Sequence, residues 1–329
     1  MARIILDTDG LISGEAKEKL DQAIEGTDFS LKIGKEINEN ELKDAAVLFF
    51  GGTPSWLSKE ILAKMPNLKL IQTISAGVDY VKFENIPEKI LVCGNVGAFS
   101  EPIAEHVFAM ILAFAKDLFV HQKELSNGFF NQHENHMFLK GKNITILGAG
   151  GIGQAVARLA MSFQMNVFGV NSMGKEVPNF RRITTLENVD RLLPISDVVV
   201  IALPLTLKTR GVIDSAKLNK MKEDAILVNI ARGAIIVERD LYEHLVKHPK
   251  FRAGLDVWWG RRPRAGEGEK FTLNHPFFEL PNFIGTPHVS GNVPESVGIA
   301  SMFAVENIIR FVKNRELKGI MDRRDYTGL

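Results

Sequence analysis

The run Gly148-Ala149-Gly150-Gly151-Ile152-Gly153 is the stretch whose residue types and spacing point most directly to chemistry. It follows the apolar segment 144–147 and opens a helix-patterned stretch from Gln154 to Phe163. In that setting the first glycine permits a tight turn and the second lets the backbone approach a pyrophosphate. The third allows close helix–strand packing. The helix start then offers unpaired N–H groups and the positive end of its dipole to phosphates. Gly148, Gly150, Gly151, Ile152 and Gly153 are therefore candidate ligands of a dinucleotide. An NAD site usually carries an acid about 20 residues further on, against the ribose hydroxyls. Asn171 stands there instead, and no acidic residue lies between Gln154 and Lys175. A 2′-phosphate is then not repelled, and Lys175, Arg181 and Arg182 either reach it or form a solvated basic loop. NAD and NADP both stay open, with a slight preference for NADP.

Histidine clusters carry less. The stretch His133-Glu134-Asn135-His136 lacks zinc-protease spacing, and His244 with His248 has no third ligand nearby. A metal site needs three or four converging ligands, so both groups read as surface histidines and no metal is expected.

These residues must be positioned by regular elements, and the chain supplies them. Short β-branched or apolar runs at 4–6, 46–50, 70–74, 144–147, 167–170, 198–201 and 225–228 alternate with helical patterns. Such runs, buried on both faces and separated by amphipathic helices, indicate parallel sheets in an α/β protein. At 329 residues, two domains are expected. Lys plus Arg number 40 against 39 Asp plus Glu, a net charge of +1, which argues against nucleic acid or a charged membrane surface as partner. The lone Cys93 fits a reducing cytosol. The acidic Asp7 interrupts any signal-peptide core, and no apolar run approaches the roughly 20 residues of a membrane helix. The expectation is a cytoplasmic, soluble protein. One helix, from Pro102 to about Leu118 with Ser100 as N-cap, is apolar nearly all round. It reads either as a core helix or as a connecting helix that also packs against a second subunit.

Further motifs follow in order: 75–79 (Ser-Ala-Gly-Val-Asp), 203–211 (Leu-Pro-Leu-Thr-Leu-Lys-Thr-Arg-Gly), 229–233 (Asn-Ile-Ala-Arg-Gly), 254–257 (Gly-Leu-Asp-Val) and 286–291 (Thr-Pro-His-Val-Ser-Gly). With the glycine run, they resemble the D-isomer-specific 2-hydroxyacid dehydrogenase family over nearly the whole chain. The resemblance implies two Rossmann-like, doubly wound parallel-sheet α/β lobes, the cofactor lobe (98–291) inserted into a substrate lobe (1–97 and 292–329). It also implies a homodimer built on the apolar helix, and lobe closure over the substrate. It places Ala76 and Gly77 on the substrate carboxylate and Gly51 beside the substrate side chain. Asn171, Leu203, Pro204, Thr209, Ile230, Ala231, Asp256 and Gly291 would line the cofactor.

The implied chemistry is hydride transfer between NAD(P)H and a small 2-oxo acid such as glyoxylate or hydroxypyruvate. Arg232 offers a guanidinium fork for a carboxylate. His288 titrates near neutrality and can give or take the hydroxyl proton. The family normally sets a Glu five residues after Asp256, bonded to that histidine; Arg261 stands there, so Glu267 or Glu269 is the replacement to consider. Without a carboxylate partner, His288 should titrate lower and carbonyl reduction should fade at a lower pH. Trp258-Trp259 is similar to the formate dehydrogenase branch, but Phe99 and Arg261 depart from that branch's Asn and Gln. The alternative of another class is a nucleotide-binding regulator of the same fold, similar to transcriptional co-repressors.

Overall fold

Strands that are apolar on both faces need cover on both faces, and parallel pairing through crossover helices supplies it. The computed structural model describes residues 2–7, 12–33, 38–51, 57–260 and 270–328. The chain divides into two units, Met1–Phe99 with Val293–Leu329, and Ser100–Asn292.

In the first unit, β1 (Ala2–Asp7), β2 (Phe29–Ile33), β3 (Ala45–Phe50), β4 (Leu70–Thr73) and β5 (Leu91–Cys93) pair in parallel in the order β2-β1-β3-β4-β5. Successive side chains of a strand face opposite sides. Ile4, Leu6, Val47 and Phe49 pack on one face against helices Gly14–Ile24 and Ser296–Val312. Ile5, Leu48 and Phe50 pack on the other with Leu62, Met65 and Val81. Polar staples tie the C-terminal return to this sheet: Asn95 Nδ2 donates to the carbonyls of Ile74 and Ala300, and Asn307 Nδ2 to Gln72 Oε1 at 2.7 Å.

In the second unit, the strands are β6 (Asn143–Leu147), β7 (Asn166–Val170), β8 (Arg182–Thr184), β9 (Val198–Ile201), β10 (Ile226–Asn229), β11 (Arg252–Leu255) and β12 (Phe283–Gly285). They lie in the order β12-β11-β10-β9-β6-β7-β8, all parallel. The chain leaves β6 in one direction toward β7 and β8 and returns at β9 to build outward the other way. The crevice at the carboxyl ends of β6 and β9 is the switch point at which open α/β sheets bind ligands. Both sheets match the expected architecture of doubly wound parallel lobes.

The apolar helix spans Ser100–Ala115. Ser100 is its first residue rather than its cap; the hydroxyl is buried without a hydrogen-bond partner, while Pro102 presets the opening turn. It stops short of Leu118 because Asp117 turns left-handed at φ +47°, and a second helix, Leu118–Ser126, begins. Ala104, Val107, Phe108, Ile111 and Phe114 pack with Ile144, Ile146, Val156 and Val228. A Cβ on Gly254 of β11 would lie 2.9 Å from Met110 Sδ, so the helix rests directly on the sheet. Among the described residues no helix is long and apolar enough to cross a membrane.

One histidine expected at the surface is not there. His244, in the helix Glu238–Lys247, is 7% exposed and packs on Phe251 and His248 with ring centroids 4.6 and 4.3 Å away. Sequence spacing did not reveal that its helix turns this residue onto the core beside Leu241 and Leu245. Burial, aided by the charges of His248 and Lys247, pushes its pKa from 6.5 down to about 4. The unfolded chain takes up this proton below about 6.5, whereas the folded one resists it to about 4. Stability is therefore full above pH 6.5 and lost as pH falls toward 4, by on the order of 2 kcal/mol. Chemical denaturation between pH 7 and 4 should show that slope, and His244→Met should flatten it; an equal slope in both proteins would refute the assignment.

Candidate functional site

Parallel strands all end on one edge of their sheet, so loops that follow them converge there. The glycine turn follows β6. Gly148 has φ +111°, and a Cβ there would lie 2.5 Å from the Ala202 carbonyl oxygen after β9. Its N–H and that of Ala149 both donate to the Val170 carbonyl, at 3.0 and 2.9 Å. Gly150 caps the helix Gly151–Ser162, and a Cβ there would meet nothing within 4 Å. A Cβ on Gly153 would sit 1.9 Å from the Gly148 carbonyl oxygen, so helix and turn touch through glycine alone. Turn, open approach and close packing thus fall on the three glycines in that order. A cradle that stays open at the second glycine, over a helix start, fits a bound pyrophosphate.

Asn171 follows β7, and its side chain closes its own loop. Oδ1 accepts from Met173 N–H at 3.1 Å, and Nδ2 donates to the Lys175 carbonyl at 2.8 Å. Lys175 in that loop is exposed, as are Arg181 and Arg182, which lie further back along the sheet beside Val167 and Phe168. After β9, Leu203 is buried and Pro204 exposed. Thr209 is buried, and its hydroxyl donates to the Pro204 carbonyl at 2.6 Å while accepting from Thr206 N–H. That hydroxyl braces the loop from within.

After β10 come Ile230 and Ala231, both buried, and half-buried Arg232. Asn229 shapes this turn: Oδ1 accepts from Ala231 N–H at 3.0 Å and Nδ2 donates to the Arg232 carbonyl at 2.9 Å. Arg232 Nη1 donates to the Ala231 carbonyl at 2.7 Å. A Cβ on Gly233 would lie 2.3 Å from the Trp258 backbone, so the loops after β10 and β11 also touch through glycine.

Asp256 follows β11 and is fully buried. Burial alone would raise its pKa, but the Ser290 and Thr286 hydroxyls and the Ser290 and Val289 N–H groups outweigh it and hold the carboxyl below its usual range. Thr286 Oγ1 lies 2.6 Å from Oδ1, with Val289 N–H at 2.9 Å and Ser290 N–H at 2.8 Å from the carboxylate. These donors bracket His288, which is exposed and left-handed at φ +61°. A histidine in that region is uncommon and held there by its surroundings. Asn292 N–H donates to the Val289 carbonyl, carrying the turn past Gly291.

In the first unit, Gly51 follows β3, and Ala76 and Gly77 follow β4; all three are half-buried. Ser75 Oγ lies 2.6 Å from the Tyr80 hydroxyl and donates to the Gly77 carbonyl at 2.9 Å. Thr73 Oγ1 donates to the Ser75 carbonyl at 2.7 Å, so this turn is braced at both ends.

Some participants escaped the sequence reading. His106 Nε2 lies 3.1 Å from Thr286 Oγ1, and Trp258 Nε1 donates to the Thr286 carbonyl at 3.0 Å. A separation of 180 residues left no local signal for the His106 contact. His136, exposed as expected, meets His121 at 3.2 Å between Nε2 atoms. Among the described residues no group of three or more His, Cys, Asp or Glu is arranged to hold a metal ion. Arg261, Glu267 and Glu269 lie outside the described residues.

Comparison with known proteins agrees with this arrangement. Residues 108–290 match the family model described as D-isomer specific 2-hydroxyacid dehydrogenase, NAD binding domain. The chain is 31% identical to D-3-phosphoglycerate dehydrogenase of Methanocaldococcus jannaschii over 88% of its own length but only 54% of that protein's. It is 31% identical to glyoxylate reductase of Pyrococcus horikoshii, covering 78% of this chain and 76% of that one. A solved structure of a candidate formate dehydrogenase from Pyrobaculum aerophilum superposes with a TM-score of 0.80 at 29% identity, over 99% of this chain and 100% of that one. A family match over more than half the chain, on the strand-end loops described above, means that the protein belongs to the D-isomer-specific 2-hydroxyacid dehydrogenase family.

Proposed function

We propose that this chain reduces small 2-oxo acids, with glyoxylate and hydroxypyruvate as the leading candidates, to D-2-hydroxy acids at the expense of NADH or NADPH. The observation that carries this reading is the Asp256 clamp. It holds a strained, exposed His288 on the same sheet edge as the open glycine cradle. When bound, the nicotinamide cofactor supplies the hydride. His288 gives the forming alkoxide its proton and takes it back in oxidation. Arg232 pairs with the substrate carboxylate through its guanidinium fork. In this reading 98–291 is the cofactor domain, with Gly148, Gly150, Gly151, Ile152 and Gly153 at the pyrophosphate. Residues 1–97 and 292–329 form the substrate domain, with the Ala76–Gly77 turn on the carboxylate. NADPH is slightly preferred: Asn171 puts no negative charge at the ribose end, and the loop it braces carries the exposed Lys175. Burial that pushes the Cys93 thiol up to about 11 keeps it inert, in keeping with the cytoplasm.

We further infer a homodimer. Phe119, Phe129, Phe130 and Phe138, between 62 and 79% exposed, cluster in sequence just after the apolar helix. Large apolar side chains exposed together mark an interaction surface. Sedimentation at micromolar concentration should give twice 36.6 kDa; a strict monomer there would remove this part of the reading.

The enzymatic reading is tested by following reduced nicotinamide with NADH and NADPH, each offered glyoxylate, hydroxypyruvate, pyruvate and a branched 2-oxo acid. Turnover is expected, with His288→Ala lowering kcat by about a thousandfold or more and leaving cofactor affinity unchanged. Cofactor binding without turnover on any substrate would favour the regulator instead.

The glycine cradle makes a separate prediction. Gly153→Ala forces a Cβ to 1.9 Å from a backbone oxygen and should lower Tm by several degrees. The Cβ of Gly150→Ala meets open space in the protein and should cost less Tm than Gly153→Ala, yet weaken cofactor binding by about tenfold or more. Unchanged cofactor affinity in Gly150→Ala would place the pyrophosphate elsewhere.

A further inference from the structure

Thr286 is engaged at every polar atom. Its N–H extends the β11–β12 ladder to the Leu255 carbonyl at 2.9 Å. Its carbonyl accepts from Trp258 Nε1 and from His288 N–H, each at 3.0 Å. Its hydroxyl lies between Asp256 Oδ1 at 2.6 Å and His106 Nε2 at 3.1 Å.

Counting protons orients this chain. A carboxylate only accepts, and a hydroxyl owns one proton. Asp256 is fully buried among four donors and held ionised by them, so the Thr286 proton points to it. At the other contact Thr286 can then only accept, and His106 must carry a proton on Nε2. The direction is thus His106 to Thr286 to Asp256, and Asp256 in turn receives Val289 and Ser290 N–H. The three residues bonded to Asp256 flank His288 on both sides, and the backbone between them is the left-handed one.

His106 sits half-buried in the helix Ser100–Ala115, which is packed on the same sheet through Met110 and Gly254. That helix is a rigid reference for the turn, whereas the turn itself is a run of exposed residues from Pro287 to Val289. We propose that His106 is a positioning residue for His288, anchoring the Thr286–Asp256 clamp to the helix so that the imidazole is presented in one orientation. This rests on the reading of His288 as the proton carrier. His106 itself touches neither cofactor nor substrate in this account. Its contribution is one hydrogen bond, which holds the hydroxyl at the distance from which Asp256 can also reach both N–H groups.

The test uses the full chain as His106→Leu, His106→Gln, Thr286→Val and the Leu/Val double variant. Each is read by kcat, KM, cofactor Kd and NMR amide exchange at Val289 and Ser290. Glutamine keeps an N–H near the position of Nε2, so it separates the lost donor from lost packing. Removing the donor should lower kcat about tenfold, the scale of a single hydrogen bond, with KM and Kd changed less than about twofold. His106→Gln should recover kcat to within about threefold of wild type. The double variant should be no slower than Thr286→Val, because both substitutions break one chain. Amide exchange should quicken in His106→Leu and Thr286→Val but not in His106→Gln.

Undiminished kcat in His106→Leu, losses that multiply in the double variant, or a glutamine variant as slow as the leucine one would each overturn the proposal. Should the wild type reduce no 2-oxo acid, the proposed function fails, and amide exchange still decides the clamp. Unchanged exchange in His106→Leu would refute it, and quickened exchange rescued by glutamine would sustain it.

Discussion

A fully buried carboxylate that accepts at both oxygens is the interaction around which the second unit is organised. An uncompensated anion in that position would be prohibitively costly. Asp256 is tolerated because the turn 286–290 folds over it and gives its donors to it. The dependence runs the other way too. A left-handed histidine costs of order 1 kcal/mol, which glycine at that position would avoid. The donors on either side of His288 meet one carboxylate only if the backbone between them turns as it does. Carboxylate and strained histidine therefore require one another.

That mutual requirement works only if β11 and β12 are neighbours in register, and the sheet order ensures it. Leu255 pairs with Gly285, so Asp256 and Thr286, one residue further along each strand, emerge side by side. The same logic repeats across the sheet. Leu147 pairs with Ile201, which brings Gly148 against Ala202. Asn229 pairs with Leu255, which brings Gly233 against the Trp258 backbone. At these last two junctions a glycine removes the side chain that would hold neighbouring loops apart. The crowded edge is a consequence of parallel pairing, and the glycines are what that crowding requires.

Much of this was legible beforehand. Runs of Val, Ile and Leu at 198–201 or 144–147 have one reading as buried parallel strands, and the structure places strands there within a residue. The strands that went unread are short or atypical. β5, β8 and β12 have three residues each, β11 reads Arg-Ala-Gly-Leu, and β2 reads Phe-Ser-Leu-Lys-Ile, whose polar residues break up any apolar run. Ser100 had the composition of a cap, but caps depend on where the chain enters the helix, which neighbours decide. His244 followed the same rule in reverse: a polar residue went to the core because its helix face did. The glycine motif revealed its geometry in full, since three backbone constraints map onto three residues. The clamp did not, because Asp256 reads the same in a sequence whether it faces a ligand or a loop.

The distinction between an enzyme and a nucleotide-binding regulator turns on that clamp. Holding a pyrophosphate calls for an open glycine turn and a helix start, which lie after β6. None of this requires β12, a buried carboxylate or a histidine in a left-handed turn. A site that only sensed cofactor would be more stable with glycine at 288 and an uncharged pair at 256 and 286. Strain of this kind persists where a group must be presented in a set orientation to a reacting atom. Under the proposed function, the strain at His288 and the anion buried at Asp256 serve proton transfer, and holding the pyrophosphate gives no reason for either.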